Sequence, residues 1–317
     1  MNLHRGNEVQ LINVLRFPFG ILNIKSILLI LYGMKRLKMM LALGAAMLAA
    51  VSCGPKKDAQ KVLVLYYSQT SNTKTVAQEI ATRLGADIEE IVPLKPYDGD
   101  FQATIERCME ERKEGIIPEI QPVAADLAQY DVIFIGYPIW FGTYAPPMAA
   151  FLDSVDLSGK KIVPFCTFGS GGLDSSVKNL AEKQPGAELL PGYGVRAARM
   201  AAVSKEVDQF LKAGGFLEGQ YFQPEAFPEQ HEVTEEEAAI FDTAVGDYPM
   251  MHAQAKTVAS RAIQDGTEYL FTAVDLPREG GPQVADDDKP KMPPAGEIKV
   301  YVTVPEGGTP EFTQVIR

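Results

Sequence analysis

Short apolar runs rich in β-branched residues alternate with stretches of helical apolar spacing between Lys61 and Gly215. This alternation is typical of strand–helix units that wind a parallel sheet. It predicts strands over Val62–Tyr67, Ala86–Val92, Val132–Tyr137, Lys161–Thr167 and Ala187–Tyr193. It predicts helices over Thr73–Leu84, Phe101–Lys113, Pro147–Ser154, Leu173–Lys183 and Ser204–Ala213. We therefore expect an α/β three-layer sandwich, with helices on both faces of an open five-stranded parallel sheet.

The pattern changes after residue 216, and we expect a linker over residues 217–233. Thr234 and the three glutamates after it predict the start of a helix, because a hydroxyl caps the helix and acidic residues suit its first turn. This helix is predicted from Glu235 to Ile263, with a break from Gly246 to Pro249. Strands are predicted over Glu268–Leu276, Ile298–Val304 and Thr313–Ile316. Residues 234–317 are thus expected to form a smaller α+β domain.

The first 53 residues have the composition of an export leader. A basic segment, Lys-Arg-Leu-Lys over residues 35–38, precedes an apolar run, Met39–Val51, which ends beside Ser52 and Cys53. This segment resembles a bacterial lipoprotein signal, which implies cleavage before Cys53 and acylation of its thiol. Ala50 departs from that pattern, since lipoproteins usually have leucine there.

We therefore expect Met34 to be the true start, residues 54–60 to be a tether, and a lipid anchor to hold the protein at the bacterial cell envelope, outside the cytoplasm. The alternative is an uncleaved transmembrane anchor over Phe17–Val51, although Lys25 and the basic cluster interrupt that span.

Charge and cysteine usage exclude some partners. The net charge of −11 makes nucleic acid an unexpected partner. The three cysteines form no CxxC pair and the three histidines stand far apart, so we expect no metal site. Cys108 and Cys166 are predicted to be small core residues.

The segment after the first strand is rich in hydroxyl groups and runs directly into a helix. Ligands of such sheets bind beyond the carboxyl ends of the strands. Hydroxyls and free backbone N–H groups at a helix start can hold a phosphate without lysine or arginine. A plain helix cap is the alternative interpretation. The candidate binding residues are Ser68, Gln69, Thr70, Ser71, Asn72 and Thr73.

Two further strand ends carry candidate binding residues. The segment after the third strand holds the only tryptophan and offers flat apolar walls: Tyr137, Pro138, Ile139, Trp140, Phe141 and Gly142. Its aromatic residues could instead pack on the domain or on a partner. The segment after the fourth strand is rich in glycine, which permits close backbone approach to a ligand: Thr167, Phe168, Gly169, Ser170, Gly171 and Gly172.

Together these segments resemble the flavodoxin family, in particular its short-chain members. Ser68, Thr70 and Thr73 match the phosphate loop Thr/Ser-x-Thr-Gly-x-Thr, although Ser71 replaces its glycine. Residues 136–140 match the flavin-ring loop Gly-x-Pro-x-Trp, which makes Trp140 the expected stacking residue. The resemblance covers residues 61–216. It implies the strand order 2-1-3-4-5 and FMN as the cofactor, held by the three segments, with no catalytic side chain.

The resulting hypothesis is FMN-dependent electron transfer to or from a redox partner protein or a small electron acceptor. One alternative is a reductase that takes hydride from NAD(P)H and reduces a quinone or another small acceptor. Another is a non-redox envelope binding protein that has lost the flavin, an alternative that Ser71 keeps open.

The C-terminal region resembles the cystatins, which wrap strands around one helix. Only Gly266 fits the cystatin turn Gln-x-Val-x-Gly, because Ala262 and Gln264 occupy its other two defined positions. We therefore expect an accessory or interaction module rather than a protease inhibitor.

Overall fold

The computed structural model describes residues 60–317 except 98–99, 247, 249–250 and 277–295. Residues 60–317 form one compact unit. The predicted leader, the lipidation site at Cys53 and the tether up to residue 59 lie outside the described residues. Within the described ranges, no helix combines the length and the apolar character needed to cross a bilayer.

A parallel sheet forms the centre of the first part of the chain. Its strands are β1 (Val62–Tyr66), β2 (Asp87–Glu90), β3 (Val132–Trp140), β5 (Lys161–Phe168), β6 (Glu188–Leu189) and β7 (Tyr193–Arg196), and a short strand β4 (Thr143–Tyr144) pairs antiparallel with β3. The order is β2-β1-β3-β5, and β6 and β7 both pair with β5. This confirms the predicted order 2-1-3-4-5 and the α/β fold class.

Helices cover both faces of this sheet. They are α1 (Asn72–Leu84), α2 (Phe101–Glu114), α3 (Pro146–Ser154), α4 (Leu173–Lys183) and α5 (Val203–Ala213). Alternate residues of β3 face opposite layers because side chains alternate along a strand. Phe134 packs in the core with α1 and α5, whereas Ile133 and Ile135 pack in the core with α3 and α4. The predicted three-layer arrangement is therefore present.

In the parallel sheet, two predicted strands differ from the observed ones by three residues at one end, and the others by one or two. Strand β3 continues past Tyr137 to Trp140, because β4 pairs with its end. The predicted fifth strand is divided into β6 and β7 by Pro191 and Gly192. Proline donates no N–H to a sheet, and a Cβ on Gly192 would lie 2.8 Å from the Pro164 carbonyl oxygen. The strand therefore resumes only at Tyr193.

The C-terminal part is an antiparallel sheet packed on one helix. A short strand, β8 (His231–Glu232), precedes α6 (Glu235–Gly246), and the strands β9 (Ala253–Ile263), β10 (Gly266–Asp275), β11 (Glu297–Pro305) and β12 (Glu311–Ile316) follow in the order β12-β11-β10-β9-β8. Thr234 and Glu237 cap α6 reciprocally, since the backbone N–H of each donates to the side chain of the other. Phe241 of α6 packs against Phe271 of β10, with ring centroids 5.1 Å apart.

The prediction of a helix up to Ile263 is wrong, because α6 ends at Gly246 and residues 253–263 form β9. The alanines of this segment favour a helix, but Val258 is fully buried in the sheet core and tertiary packing overrides the local preference. Gln264 and Asp265 form a two-residue turn to β10. Gly266 follows it with φ +148°, and a Cβ there would lie 2.1 Å from the Val304 carbonyl oxygen.

Candidate functional site

A cavity of about 880 Å³ lies at the carboxyl ends of β1, β3 and β5. This volume is within the usual range for small-molecule sites. The three segments singled out in the sequence converge on it. All their residues line the cavity except Ser68, Ser71 and Tyr137.

The first segment turns sharply into α1 at Ser71. This serine has φ 68° and ψ −6°, the left-handed geometry that favours glycine, and its side chain makes no capping hydrogen bond. Its carbonyl oxygen accepts hydrogen bonds from the backbone N–H and the hydroxyl of Thr75, at 2.9 and 3.0 Å. The left-handed conformation costs a non-glycine residue about 1–2 kcal/mol. The turn thus keeps the backbone geometry of a glycine loop despite the substitution.

Hydrogen bonds tie this segment to its neighbours. Thr73 is buried, and its Oγ1 lies 2.8 Å from Oγ1 of Thr167 at the end of β5. Gln69 donates from Nε2 to Oγ1 of Thr104 on α2, at 2.7 Å. The first N–H groups of α1 have no acceptor within the helix, and a helix start of this kind binds anions.

The second segment is a β-hairpin rather than an irregular loop. Trp140 of β3 pairs with Thr143 of β4, so Phe141 and Gly142 form a two-residue turn with φ values of 50° and 81°. Positive φ at both positions is the type I′ geometry, which follows the twist of paired strands. Trp140 is therefore held at the end of a strand.

Neighbouring rings fix the position of the Trp140 side chain. Its ring packs edge-on against Tyr67 and Tyr97, with centroids 5.9 and 5.1 Å away. The Tyr97 hydroxyl donates to Oε2 of Glu111 at 2.5 Å, and the Arg107 guanidinium lies 3.8 Å from the Tyr97 ring centre. Burial, followed by the Glu111 hydrogen bond, raises the pKa of Tyr97 far above its ordinary value. This phenol therefore stays protonated around neutral pH.

Tyr137 lies in the core and does not line the cavity. Its side chain is fully buried, and its hydroxyl is 3.2 Å from Oγ of Ser176 on α4. Alternation along β3 directs this side chain toward the α3 and α4 layer. Burial raises the pKa of Tyr137 well above its ordinary range, so it is a neutral core residue.

The third segment permits close approach by two other parts of the chain. A Cβ on Gly172, which has φ +113°, would lie 2.7 Å from Cγ2 of Ile139. A Cβ on Gly171 would lie 2.3 Å from the carbonyl oxygen of Val315 on β12. The Val315 N–H also donates to the Ser170 carbonyl oxygen at 2.7 Å. Glycine is thus required where the hairpin and the C-terminal strand meet this segment.

The cavity has further walls that the sequence analysis missed. One face of α2 forms one of these walls, and the amphipathic pattern of this helix in the sequence could have indicated it. Ala197 and the C-terminal part contribute another, for which no local sequence signal exists. The additional lining residues are Phe101, Thr104, Ile105, Cys108, Leu173, Asp174, Ser175, Ala197, Tyr248, Gln314, Val315, Ile316 and Arg317.

The two described cysteines are buried, as predicted, but Cys108 also borders the cavity. Burial, followed by the charge of Glu111, raises the pKa of the Cys108 thiol to about 11. The thiol is therefore protonated at neutral pH, and Cys108 serves as a small apolar wall residue.

Residues 61–210, a little under half of the chain, match the model of a family described as flavodoxin. Together with the sheet order and the converging strand-end segments, this match shows that the chain contains a flavodoxin-like domain. That part of the sequence resemblance is confirmed. The lipoprotein leader and the likeness of the C-terminal part to cystatins stay predictions.

The chain is also similar to individual proteins. It is 33% identical over 100 residues to an NAD(P)H dehydrogenase (quinone) of Cupriavidus metallidurans, a match that covers 29% of this chain and 45% of that relative. The chain thus spans less than half the length of the curated relatives it matches. A putative flavoprotein of Bacteroides eggerthii is 28% identical, covers 49% of this chain and 98% of its own, and has a TM-score of 0.44. A flavoprotein of Lactobacillus acidophilus in complex with FMN is 27% identical, covers 46% and 98%, and has a TM-score of 0.40.

Proposed function

We propose that the flavodoxin-like domain binds FMN in the 880 Å³ cavity and acts in electron transfer. The observation that carries this proposal is the convergence of two different binding surfaces on one cavity. One is the hydroxyl-rich start of α1, which suits a phosphate, and the other is the aromatic hairpin at Trp140, which suits a flat ring.

The start of α1 fits a phosphate because its backbone N–H groups and nearby hydroxyls can bind the anion without a lysine or arginine side chain. Ser68 does not line the cavity, but it precedes Gln69 and Thr70, which do, and its Oγ is buried with no hydrogen-bond partner among the described residues. An unsatisfied buried hydroxyl costs about 1–3 kcal/mol, which is recovered if it donates to a phosphate oxygen or to a group that the phosphate orders. Thr70 and Thr73 line the same end of the cavity.

The end of the cavity beside the hairpin fits the flavin ring, because its walls are apolar and are held in place by the surrounding structure. Trp140 and Ile139 lie on the hairpin, and Phe168 and Leu173 face the cavity from the third segment and α4. FMN, when bound, supplies the redox chemistry by accepting and donating one or two electrons. The side chains of this domain bind the cofactor, orient it and limit its contact with water.

A reductase driven by NAD(P)H is the second candidate function. The identity of 33% over 100 residues with a quinone dehydrogenase favours it. Steady consumption of NADH or NADPH by the FMN-loaded protein in the presence of a quinone would distinguish this enzyme from a passive carrier. The binding-protein alternative loses its main support, because Ser71 keeps the left-handed turn of a glycine loop.

The lipid anchor, the envelope location and the redox partner protein or small electron acceptor belong to the same proposal. Incorporation of a labelled fatty acid into the full chain, and its loss in Cys53→Ser, would test the anchor.

The phosphate cradle is tested by titrating the protein with FMN and with riboflavin, which lacks the phosphate. We expect FMN to bind much more tightly. Ser68→Ala should weaken FMN binding while leaving riboflavin binding unchanged, and it should slightly stabilise the flavin-free protein because it removes an unsatisfied buried hydroxyl.

Ser154→Ala is the matched control. The Ser154 hydroxyl already donates to the Phe151 carbonyl oxygen at 2.8 Å, at the end of α3. This variant should leave both affinities unchanged. Equal affinity for FMN and riboflavin in the wild-type protein would contradict the phosphate cradle.

A further inference from the structure

The C-terminal sheet forms part of the cavity itself. Tyr248, the last residues of β12 and Arg317 after them line the cavity, and we call this set, Tyr248 and residues 314–317, the C-terminal wall. The wall is joined to the third segment by the hydrogen bond from Val315 to Ser170, at 2.7 Å. Any ligand in the cavity therefore shares it with a second folded element.

Arg196, at the end of β7, holds the C-terminal wall in position. Its Nε donates to the Gly169 carbonyl oxygen and its Nη1 to the Phe312 carbonyl oxygen, each at 2.8 Å. Its guanidinium also lies over the rings of Phe312 and Tyr248, 4.2 and 5.0 Å from their centres. Arg196 itself does not line the cavity. It therefore acts as a positioning residue.

The inner surface of the wall combines apolar area with polar groups. Val315 is buried in the core beneath α6, and alternation along β12 places its neighbours Gln314 and Ile316 on the opposite face. Both line the cavity, as does Tyr248. An aliphatic chain and a phenol ring suit a flat molecule, while the Gln314 amide and the Tyr248 hydroxyl can donate hydrogen bonds to its carbonyl groups.

We propose that the C-terminal wall selects the electron acceptor: a small planar dicarbonyl molecule of the quinone class, which enters the cavity as a free molecule. The wall also keeps a docked protein away from the flavin ring. The inference rests on the proposed function. In the step concerned, the quinone takes two electrons and two protons from reduced FMN and leaves as the hydroquinone, and FMN returns to its oxidised form.

The test uses the full chain loaded with FMN and reduced with dithionite under anaerobic conditions. Reoxidation is followed by stopped flow with either 1,4-benzoquinone or cytochrome c as the oxidant. We expect benzoquinone to oxidise the wild-type protein much faster than cytochrome c does. Gln314→Leu should slow the benzoquinone reaction about fivefold, as expected for the loss of one hydrogen bond, and leave the cytochrome c reaction unchanged.

Arg196→Ala should release the wall and speed the cytochrome c reaction severalfold, because both hydrogen bonds that tie Gly169 and Phe312 together through this side chain are lost. Arg196→Lys keeps the charge but cannot donate both hydrogen bonds in the same geometry. Its cytochrome c rate should lie between those of the wild-type protein and Arg196→Ala. Hydrogen exchange at the Val315 amide of the flavin-free protein supplies a readout that needs no flavin. We expect that exchange to be faster in Arg196→Ala than in wild type.

Several results would overturn the inference. They are wild-type oxidation by cytochrome c as fast as that of Arg196→Ala, an unchanged benzoquinone rate in Gln314→Leu, or unchanged Val315 exchange in Arg196→Ala. A failure to retain FMN would be seen at the loading step, before any oxidant is added, and would overturn the proposed function instead.

Discussion

At the scale of single residues, the turn before α1 shows how a family pattern can be kept after its key residue is replaced. The left-handed geometry at Ser71 is determined by the strand end and the helix start around it, not by the residue itself. The substitution is visible in the sequence, but its consequence is not. Whether a serine distorts the turn or adopts the strained conformation depends on packing that the local sequence does not report.

Ser71→Gly should stabilise the protein by about 1 kcal/mol, because glycine adopts φ 68° without steric cost. Urea unfolding followed by circular dichroism measures this change. Ser71→Ala is the matched control, since it removes a hydroxyl that makes no capping hydrogen bond but keeps the strain. A gain in Ser71→Ala equal to that in Ser71→Gly would show that the strain is absent.

At the scale of elements, the alternation of apolar runs predicted the parallel sheet and its helices because both faces of each central strand are buried. All six residues Val132–Tyr137 are buried and belong to β3, but its extension to Trp140 depends on pairing with β4. The same local reasoning predicted a helix where β9 forms, since its alanines favour helices and pairing with β10 and β8 decides otherwise. Local patterns therefore predict a strand well where both of its faces are buried, and poorly where only pairing with a neighbouring strand determines whether the segment is a strand or a helix.

The hairpin turn offers an element-scale prediction. Phe141 has φ 50° and its side chain is 51% exposed, so it occupies a position that asparagine fits better. Phe141→Asn should raise the free energy of unfolding by up to about 1 kcal/mol and weaken FMN binding, because an aromatic cavity wall is lost. Thermal melts and FMN titrations measure the two effects. Tighter FMN binding in this variant would contradict a role for Phe141 in the site.

At the scale of the whole molecule, the C-terminal part is joined to the flavodoxin-like domain by partly buried polar contacts. Arg199 pairs with Glu206 on α5 at 2.8 Å and with Glu311 on β12 at 2.9 Å, and its side chain is only 13% exposed. The sequence predicted that both parts exist, but not that they share a cavity. Contacts between segments more than a hundred residues apart leave no periodicity in a single sequence.

These contacts of Arg199 predict that the flavodoxin-like domain and the C-terminal part unfold together. Trp140 fluorescence and hydrogen exchange of β10 amides should give the same urea midpoint in the wild-type protein. Arg199→Ala should cost about 2 kcal/mol, because two carboxylates lose a charged partner, and it should separate the two midpoints. Arg261→Ala is the control, since Arg261 pairs with Glu268 inside the C-terminal sheet at 2.6 Å. Separate midpoints in the wild-type protein would contradict the coupling of the two parts.

The central claim, FMN binding by the flavodoxin-like domain, is tested most directly by one absorption spectrum. The purified chain is incubated with FMN, desalted and measured in the visible range, and the flavin is counted per protein. The account predicts one retained FMN per chain, with flavin fluorescence quenched by the neighbouring Trp140. A colourless protein after desalting would contradict it.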